Sequence, residues 1–73
     1  MADFPERLKE LRKTKGVTQK YMADLLTLKS DRTYRQYEAG EVDPPSSKAI
    51  RLSDYFEVSL DYLFGRSDDP KRY

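Results

Sequence analysis

The chain has 73 residues, with 14 Lys+Arg against 13 Asp+Glu, and it lacks Cys, His and Trp. At that length it is one small domain that buries only about 60% of its unfolded surface, with neither disulfides nor a Cys/His metal site to staple it. Zinc fingers, haem proteins, thiol enzymes and histidine-based acid–base catalysis are thereby excluded.

The first predicted element opens at Asp3-Phe4-Pro5-Glu6. Asp3 is a cap, and Glu6, three residues on, can reach back as the other half of a capping box. Phe4, Leu8 and Leu11 recur on one helical face, and the helix stops near Lys15-Gly16. Thr18 caps a second helix over 19–26, with Met22, Leu25 and Leu26 apolar and Ala23 beside them. Thr27-Leu28-Lys29 leads to Ser30, the cap of a third helix over 31–39 that ends at Gly40. Tyr34 and Tyr37 face inward on it, while Arg32, Arg35 and Gln36 lie toward the other side. The segment 41–45 holds paired prolines and is not helical. Ser46 caps a fourth helix over 46–56, with Ala49, Ile50, Leu52, Ser53 and Phe56 available to the core. Val58 and the cap Ser59 introduce a short fifth helix over 60–64, closed by Gly65. Residues 1–65 are expected to form the domain and 66–73 a short flexible tail. No strand pattern competes, so the fold class is all-α.

The net charge of +1 conceals a polarity. Residues 7–35 carry nine basic side chains and three acids, whereas residues 38–73 carry five basic and eight acidic ones. Such a chain can turn one surface to a polyanion and another to solvent or a partner. The plainer reading is a set of solvated helix faces. Catalysis is not expected: the domain has little room for a substrate pocket, and its glycines stand alone at 16, 40 and 65 rather than in a phosphate loop. No cofactor or metal is expected. No apolar run approaches the roughly 20 residues of a bilayer span, and residues 1–6 lack the marks of a signal peptide, so a cytoplasmic protein with no membrane contact is the expectation.

The stretch from 18 to 40 carries the functional signal. It holds two short helices joined by a tight turn, the second with a hydrogen-bonding outer face. A helix fits the major groove, where Arg and Gln pair bidentately with guanine and adenine edges. The N-terminus of the first of the two helices suits a phosphate, to which Gln19 could add a side-chain donor.

Arg7-Leu8-Lys9-Glu10-Leu11-Arg12, Val17-Thr18-Gln19, Met22-Ala23, Tyr34 and Tyr37-Glu38-Ala39-Gly40 together resemble the lambda-repressor-like helix-turn-helix family, of Cro and phage-repressor type. Pro45-Ser46, Ile50-Arg51-Leu52-Ser53 and Val58-Ser59-Leu60-Asp61-Tyr62-Leu63-Phe64-Gly65 continue the likeness in order. The resemblance implies a compact five-helix DNA-binding domain in which helices 2 and 3 form the helix-turn-helix. It implies that Gln19 holds a backbone phosphate and that Asp31, Arg32, Arg35 and Gln36 face bases. Thr33 would lie close to the DNA backbone, and Arg12 with Glu38 would form a structural ion pair. Lys20 and Lys29 are candidate phosphate neighbours, and the Tyr21 hydroxyl is a weaker one. Asp31 either accepts from a cytosine amino group or simply orients Arg35.

Two departures from the family pattern stand out. Residues 26–31 read Leu-Thr-Leu-Lys-Ser-Asp, one residue longer than the usual turn and without its glycine. Leu28 reads as the buried turn residue, with the extra residue bulging near Lys29. The loop after Gly40 reads Glu41-Val42-Asp43, where relatives often carry basic residues.

The expected function is therefore sequence-specific duplex-DNA binding by a repressor-like transcriptional regulator that reads the major groove with helix 31–39. Its operator would be pseudo-palindromic and its bound form a homodimer, with Val58, Leu60, Tyr62, Leu63 and Phe64 the apolar candidates for the dimer face. The alternatives are a protein-interaction module on the same scaffold, antitoxin-like or an anti-regulator, and the DNA-binding part of a longer regulator.

Overall fold

Five helices follow one another in a computed structural model that describes residues 3–71: α1 (Phe4–Lys15), α2 (Gln19–Leu25), α3 (Asp31–Ala39), α4 (Ser46–Phe56) and α5 (Leu60–Leu63). No strand occurs among the described residues, and the fold is all-α. Residues 72–73 of the expected tail, like residues 1–2, lie outside the described residues.

The starts of these helices follow from local chemistry. Asp3 accepts the Glu6 N–H at 3.3 Å, and Pro5 sits in the first turn of α1, where its missing N–H costs nothing. Thr18 accepts the Tyr21 N–H and Ser59 the Tyr62 N–H, each at 3.0 Å. Two expected caps differ. Ser30 precedes α3 without a side-chain cap bond. Ser46 is the first helical residue rather than the cap, because the carbonyl of extended Pro45 already accepts the Lys48 and Ala49 N–H groups at 3.0 Å.

All five helices end alike. In each, one residue takes a left-handed conformation, and two successive N–H groups fold back onto carbonyls of the last turn. Gly16, Gly40 and Gly65 fill that position after α1, α3 and α5. After α2 and α4, which lack a glycine, Thr27 (φ 54°) and Glu57 (φ 55°) fill it instead. In the α2–α3 turn Thr27 thus takes the conformation of the missing glycine, with Leu28 half-buried behind it.

The core gathers Phe4 and Leu8 of α1, Met22 and Ala23 of α2, Tyr34 and Tyr37 of α3, Leu52 and Phe56 of α4, and Leu63 of α5, with Leu26 and Val58 from the turns. Each fully buried Leu or Met contributes about 1.5–3 kcal/mol. Ile50, expected in the core, is 51% exposed. On α4 the inner face belongs to Ala49, Leu52, Ser53 and Phe56, and a residue one step past Ala49 is turned away by about 100°. Val58 and Leu63 are likewise core residues and leave the expected dimer face.

Arg7 places a charge in the interior. It is 5% exposed, its guanidinium lies 3.8 Å from the centre of the Tyr62 ring, and its Nη2 donates to Asp68 at 3.1 Å. Its Nη1 is buried without a hydrogen-bond partner among the described residues. Phe4 stacks on Phe64 at 4.8 Å, and the Ser59 N–H donates to the Pro70 carbonyl at 3.0 Å. The segment after Gly65 therefore runs back along α1 and α5.

Candidate nucleic-acid interface

Burial of Tyr34 and Tyr37, three residues apart, fixes the rotation of α3 about its axis. Arg32 and Arg35 are consequently exposed, with Asp31, Thr33 and Gln36 half-buried along the flanks. Arg35 Nη1 lies 3.6 Å from Asp31 Oδ2, one helical turn away, with the two side chains 56% and 40% exposed. Such a pair is worth only a few tenths of a kcal/mol and leaves the guanidinium available to a stronger acceptor. Asp31 also stands in the first turn, where the helix dipole favours an anion. The surface of α3 thus offers two guanidiniums, an amide and a hydroxyl on one polar face, a set that suits base edges and phosphates.

Of the candidate phosphate neighbours, Lys20 is exposed and lies 3.9 Å from Asp24, a solvated pair of little energetic consequence. Lys29 is exposed in the turn, and Tyr21 is 47% exposed with its ring 6.1 Å from that of Tyr55. Gln19 is half-buried at the start of α2, and its Nε2 donates to Glu38 Oε1 at 3.2 Å. One amide N–H is thereby committed, and the second remains for an acceptor.

Glu38 is the centre of this network. Arg12 Nε donates to its Oε2 at 2.6 Å and Arg12 Nη2 to its Oε1 at 3.3 Å, while Arg12 Nη1 donates to the Val17 carbonyl at 3.0 Å. The Glu38 side chain is only 4% exposed and that of Arg12 13%. A carboxylate in the last turn of α3 opposes the helix dipole, and the bidentate guanidinium offsets it. The hydrogen bond to Glu38 holds the Arg12 guanidinium above its already high pKa. The Tyr34 hydroxyl is buried beside the pair and has no well-aligned partner among the described residues. Burial, and secondarily the Glu38 carboxylate, raise its pKa far above the usual phenol value.

Two cations that the sequence reading passed over reach the helix-turn-helix from α4. Lys48 Nζ donates to the Leu26 carbonyl at 2.6 Å and to Thr27 Oγ1 at 3.1 Å, and Arg51 Nη1 donates to the Leu25 carbonyl at 3.2 Å. The available signal was indirect: a helix with no C-terminal glycine and no basic residue in its last turn needs donors from elsewhere.

On another part of α4, Pro44, Ser46, Ala49, Ile50, Leu60 and Phe64 line a mostly apolar groove of about 320 Å³, with Ile50 and Leu60 exposed at 51% and 42%. Among the described residues no group of His, Cys, Asp or Glu side chains is arranged to hold a metal, and no helix is long and apolar enough to cross a membrane.

The helix-turn-helix family model matches residues 8–63. The uncharacterized HTH-type transcriptional regulator YqaE of Bacillus subtilis (strain 168) is 42% identical over 67 residues, 90% of this chain and 57% of that protein. The crystal structure of a transcriptional regulator from Listeria innocua superposes with a TM-score of 0.82 at 40% identity, covering 86% of this chain and 58% of that one. The solution structure of the DNA-binding domain of the P22 c2 repressor superposes with a TM-score of 0.76 at 26% identity, covering 85% and 80%. The chain spans a little over half the length of the curated relatives it matches, 59%, 57% and 52% of three of them.

Proposed function

The chain belongs to the helix-turn-helix family, in its phage-repressor-like form, and on that premise we propose that it binds duplex DNA sequence-specifically as a repressor-like transcriptional regulator. The observation that carries the reading is the outward face of α3, where Arg32, Arg35 and Gln36 stand on a helix whose rotation Tyr34 and Tyr37 fix. In this reading α3 enters the major groove, with Arg35 and Gln36 on base edges and Arg32 and Asp31 beside them. Thr33, Lys20 and Lys29 approach the backbone, and the second amide N–H of Gln19 meets a phosphate at the α2 N-terminus. The work is binding rather than catalysis, it takes place in the cytoplasm, and no cofactor takes part.

A single domain this small reads few base pairs, so the bound form is a homodimer on a pseudo-palindrome, with half-sites about one helical turn apart. Ile50 and Leu60, exposed at the rim of the α4–α5 groove, are the apolar side chains available for the dimer contact. The relatives' greater length supports a further reading, that this domain works as the DNA-binding part of a longer regulator. One observation favours a protein partner instead: Glu41 and Asp43 are exposed just beyond α3 and repel phosphates.

Selection from a random duplex pool at about 0.1 M salt, where phosphate contacts still contribute strongly, tests the proposal. An enriched palindromic motif is the expected result, and its half-site spacing measures the separation of the two α3 helices. A folded protein that enriches nothing refutes sequence-specific binding and favours the protein partner.

A further inference from the structure

The turn between α2 and α3 keeps its own backbone bonds, Thr27 N–H to the Asp24 carbonyl and Leu28 N–H to the Ala23 carbonyl, and buries Leu26, but three features of its sequence leave it under-braced. Thr27, a β-branched residue, occupies the left-handed position at φ 54°, a conformation such residues rarely adopt. Ser30 adds no side-chain bond at the start of α3. α2 has no basic residue in its last turn to bond its final carbonyls. Additional bonds to the turn come from α4. Lys48 Nζ spans the Leu26 carbonyl and Thr27 Oγ1, at 2.6 and 3.1 Å, and Arg51 Nη1 holds the Leu25 carbonyl at 3.2 Å. Thr27 Oγ1 in turn donates to the Leu26 carbonyl at 2.6 Å, so Lys48 closes a small ring of bonds around the strained residue.

We propose that Lys48, seconded by Arg51, is a positioning residue for base recognition: it locks the glycine-free turn and thereby sets the direction in which α3 leaves it, without touching DNA. The inference rests on the reading of α3 as the base-contacting helix. Only residues 26–30 separate the two helices, so a change in the Leu26–Thr27 backbone bears on the first turn of α3, where Asp31 and Arg32 stand ahead of the anchoring Tyr34 and Tyr37. Base contacts depend on direction more steeply than phosphate contacts do, because a bidentate pair tolerates little misalignment. Loss of the brace should therefore reduce discrimination between sequences more than it reduces general affinity for duplex DNA.

The test compares the wild-type chain with Lys48→Met, Lys48→Arg, Arg51→Ala and the double variant Lys48→Met/Thr27→Gly. Two quantities are read: amide exchange at residues 26–30 in the free protein, and the ratio of affinities for the selected duplex and for one with a single base changed. In Lys48→Met, exchange in the turn should quicken several-fold. Discrimination should fall about tenfold, the order that one lost bidentate contact supplies, while affinity for unrelated duplex stays within about twofold. Arg51→Ala should shift both in the same direction by less, Lys48→Arg should behave as wild type, and glycine at 27 should restore discrimination to Lys48→Met. Unchanged discrimination in a folded Lys48→Met overturns the proposal, as does a salt slope reduced by about one with discrimination intact, since that would make Lys48 a phosphate contact. Should Lys48→Met fail to fold, Arg51→Ala decides: an unaltered turn and unaltered discrimination overturn the proposal. Should the wild type select no duplex, the DNA reading fails by itself, and unaltered turn exchange in Lys48→Met still overturns the brace.

Discussion

Glu38 carries its charge into a site only 4% exposed and keeps it there with donors from Arg12 and Gln19. Removing one partner of such a pair strands the other, so Arg12→Met should cost about 3–5 kcal/mol, while replacing both residues with apolar ones should cost far less. Urea unfolding of Arg12→Met, Glu38→Met and the variant carrying both measures this difference. On α3 the expectation has the opposite character. Arg35→Ala and Gln36→Ala, at exposed and half-buried positions, should leave unfolding almost unchanged but weaken discrimination at one base position by about 1–3 kcal/mol each. Equal weakening on all duplexes, read by titration against a mismatched panel, would reassign both to the phosphates. Sequence reasoning reached these outward residues because Tyr34 and Tyr37 announce the inner face of α3 by their spacing. It did not reach the burial of Arg7, whose covering groups, Tyr62 and Asp68, lie far along the chain. Nor did it show that Gln19 already spends one N–H on Glu38.

At the scale of the element, helix ends were the most legible feature, because glycine after an apolar-periodic stretch has a direct conformational cause. The two ends without glycine were harder to read, and they are where substitution should pay off. Glu57→Gly relieves a left-handed glutamate and should stabilise by about 0.5–1 kcal/mol. Thr27→Gly should gain less, since it also forfeits the Thr27 hydroxyl bonds with Lys48 and Leu26. At Gly40 the opposite change is doubly unfavourable: φ is +76°, and an added Cβ would meet Pro5 Cγ at 3.2 Å. Gly40→Ala should therefore destabilise more than Gly16→Ala, where nothing lies within 4 Å. Denaturation midpoints rank all four; a 1 kcal/mol change moves the thermal midpoint of so small a domain by roughly 4–8 °C. The cap of α4 was misread for a local reason, that the Pro45 carbonyl does the capping, and Ile50 because an apolar residue was assumed to point inward.

At the scale of the whole molecule, basic residues are concentrated in 7–35 and acidic ones in 38–73, and the proposed interface draws its cations from the basic segment. If about five phosphates are neutralised per monomer, log K should fall with log[salt] at a slope near −4 to −5; a flat dependence measured between low and moderate salt would contradict the proposed interface. The groove of α4 and α5 makes a separate expectation. Ile50→Glu and Leu60→Glu, both at exposed positions, should leave the monomer folded and abolish paired occupancy of a palindrome, which a gel-shift titration reads as loss of the dimer band. Finally, the Phe4–Phe64 stack and the Arg7–Asp68 bond tie α1 to the segment that follows α5. Connectivity through the 41–45 loop is then one choice among two: a circular permutant that links the segment after Asp68 to Asp3 through a flexible linker and opens that loop should keep the same core and leave α3 with a free end beside it.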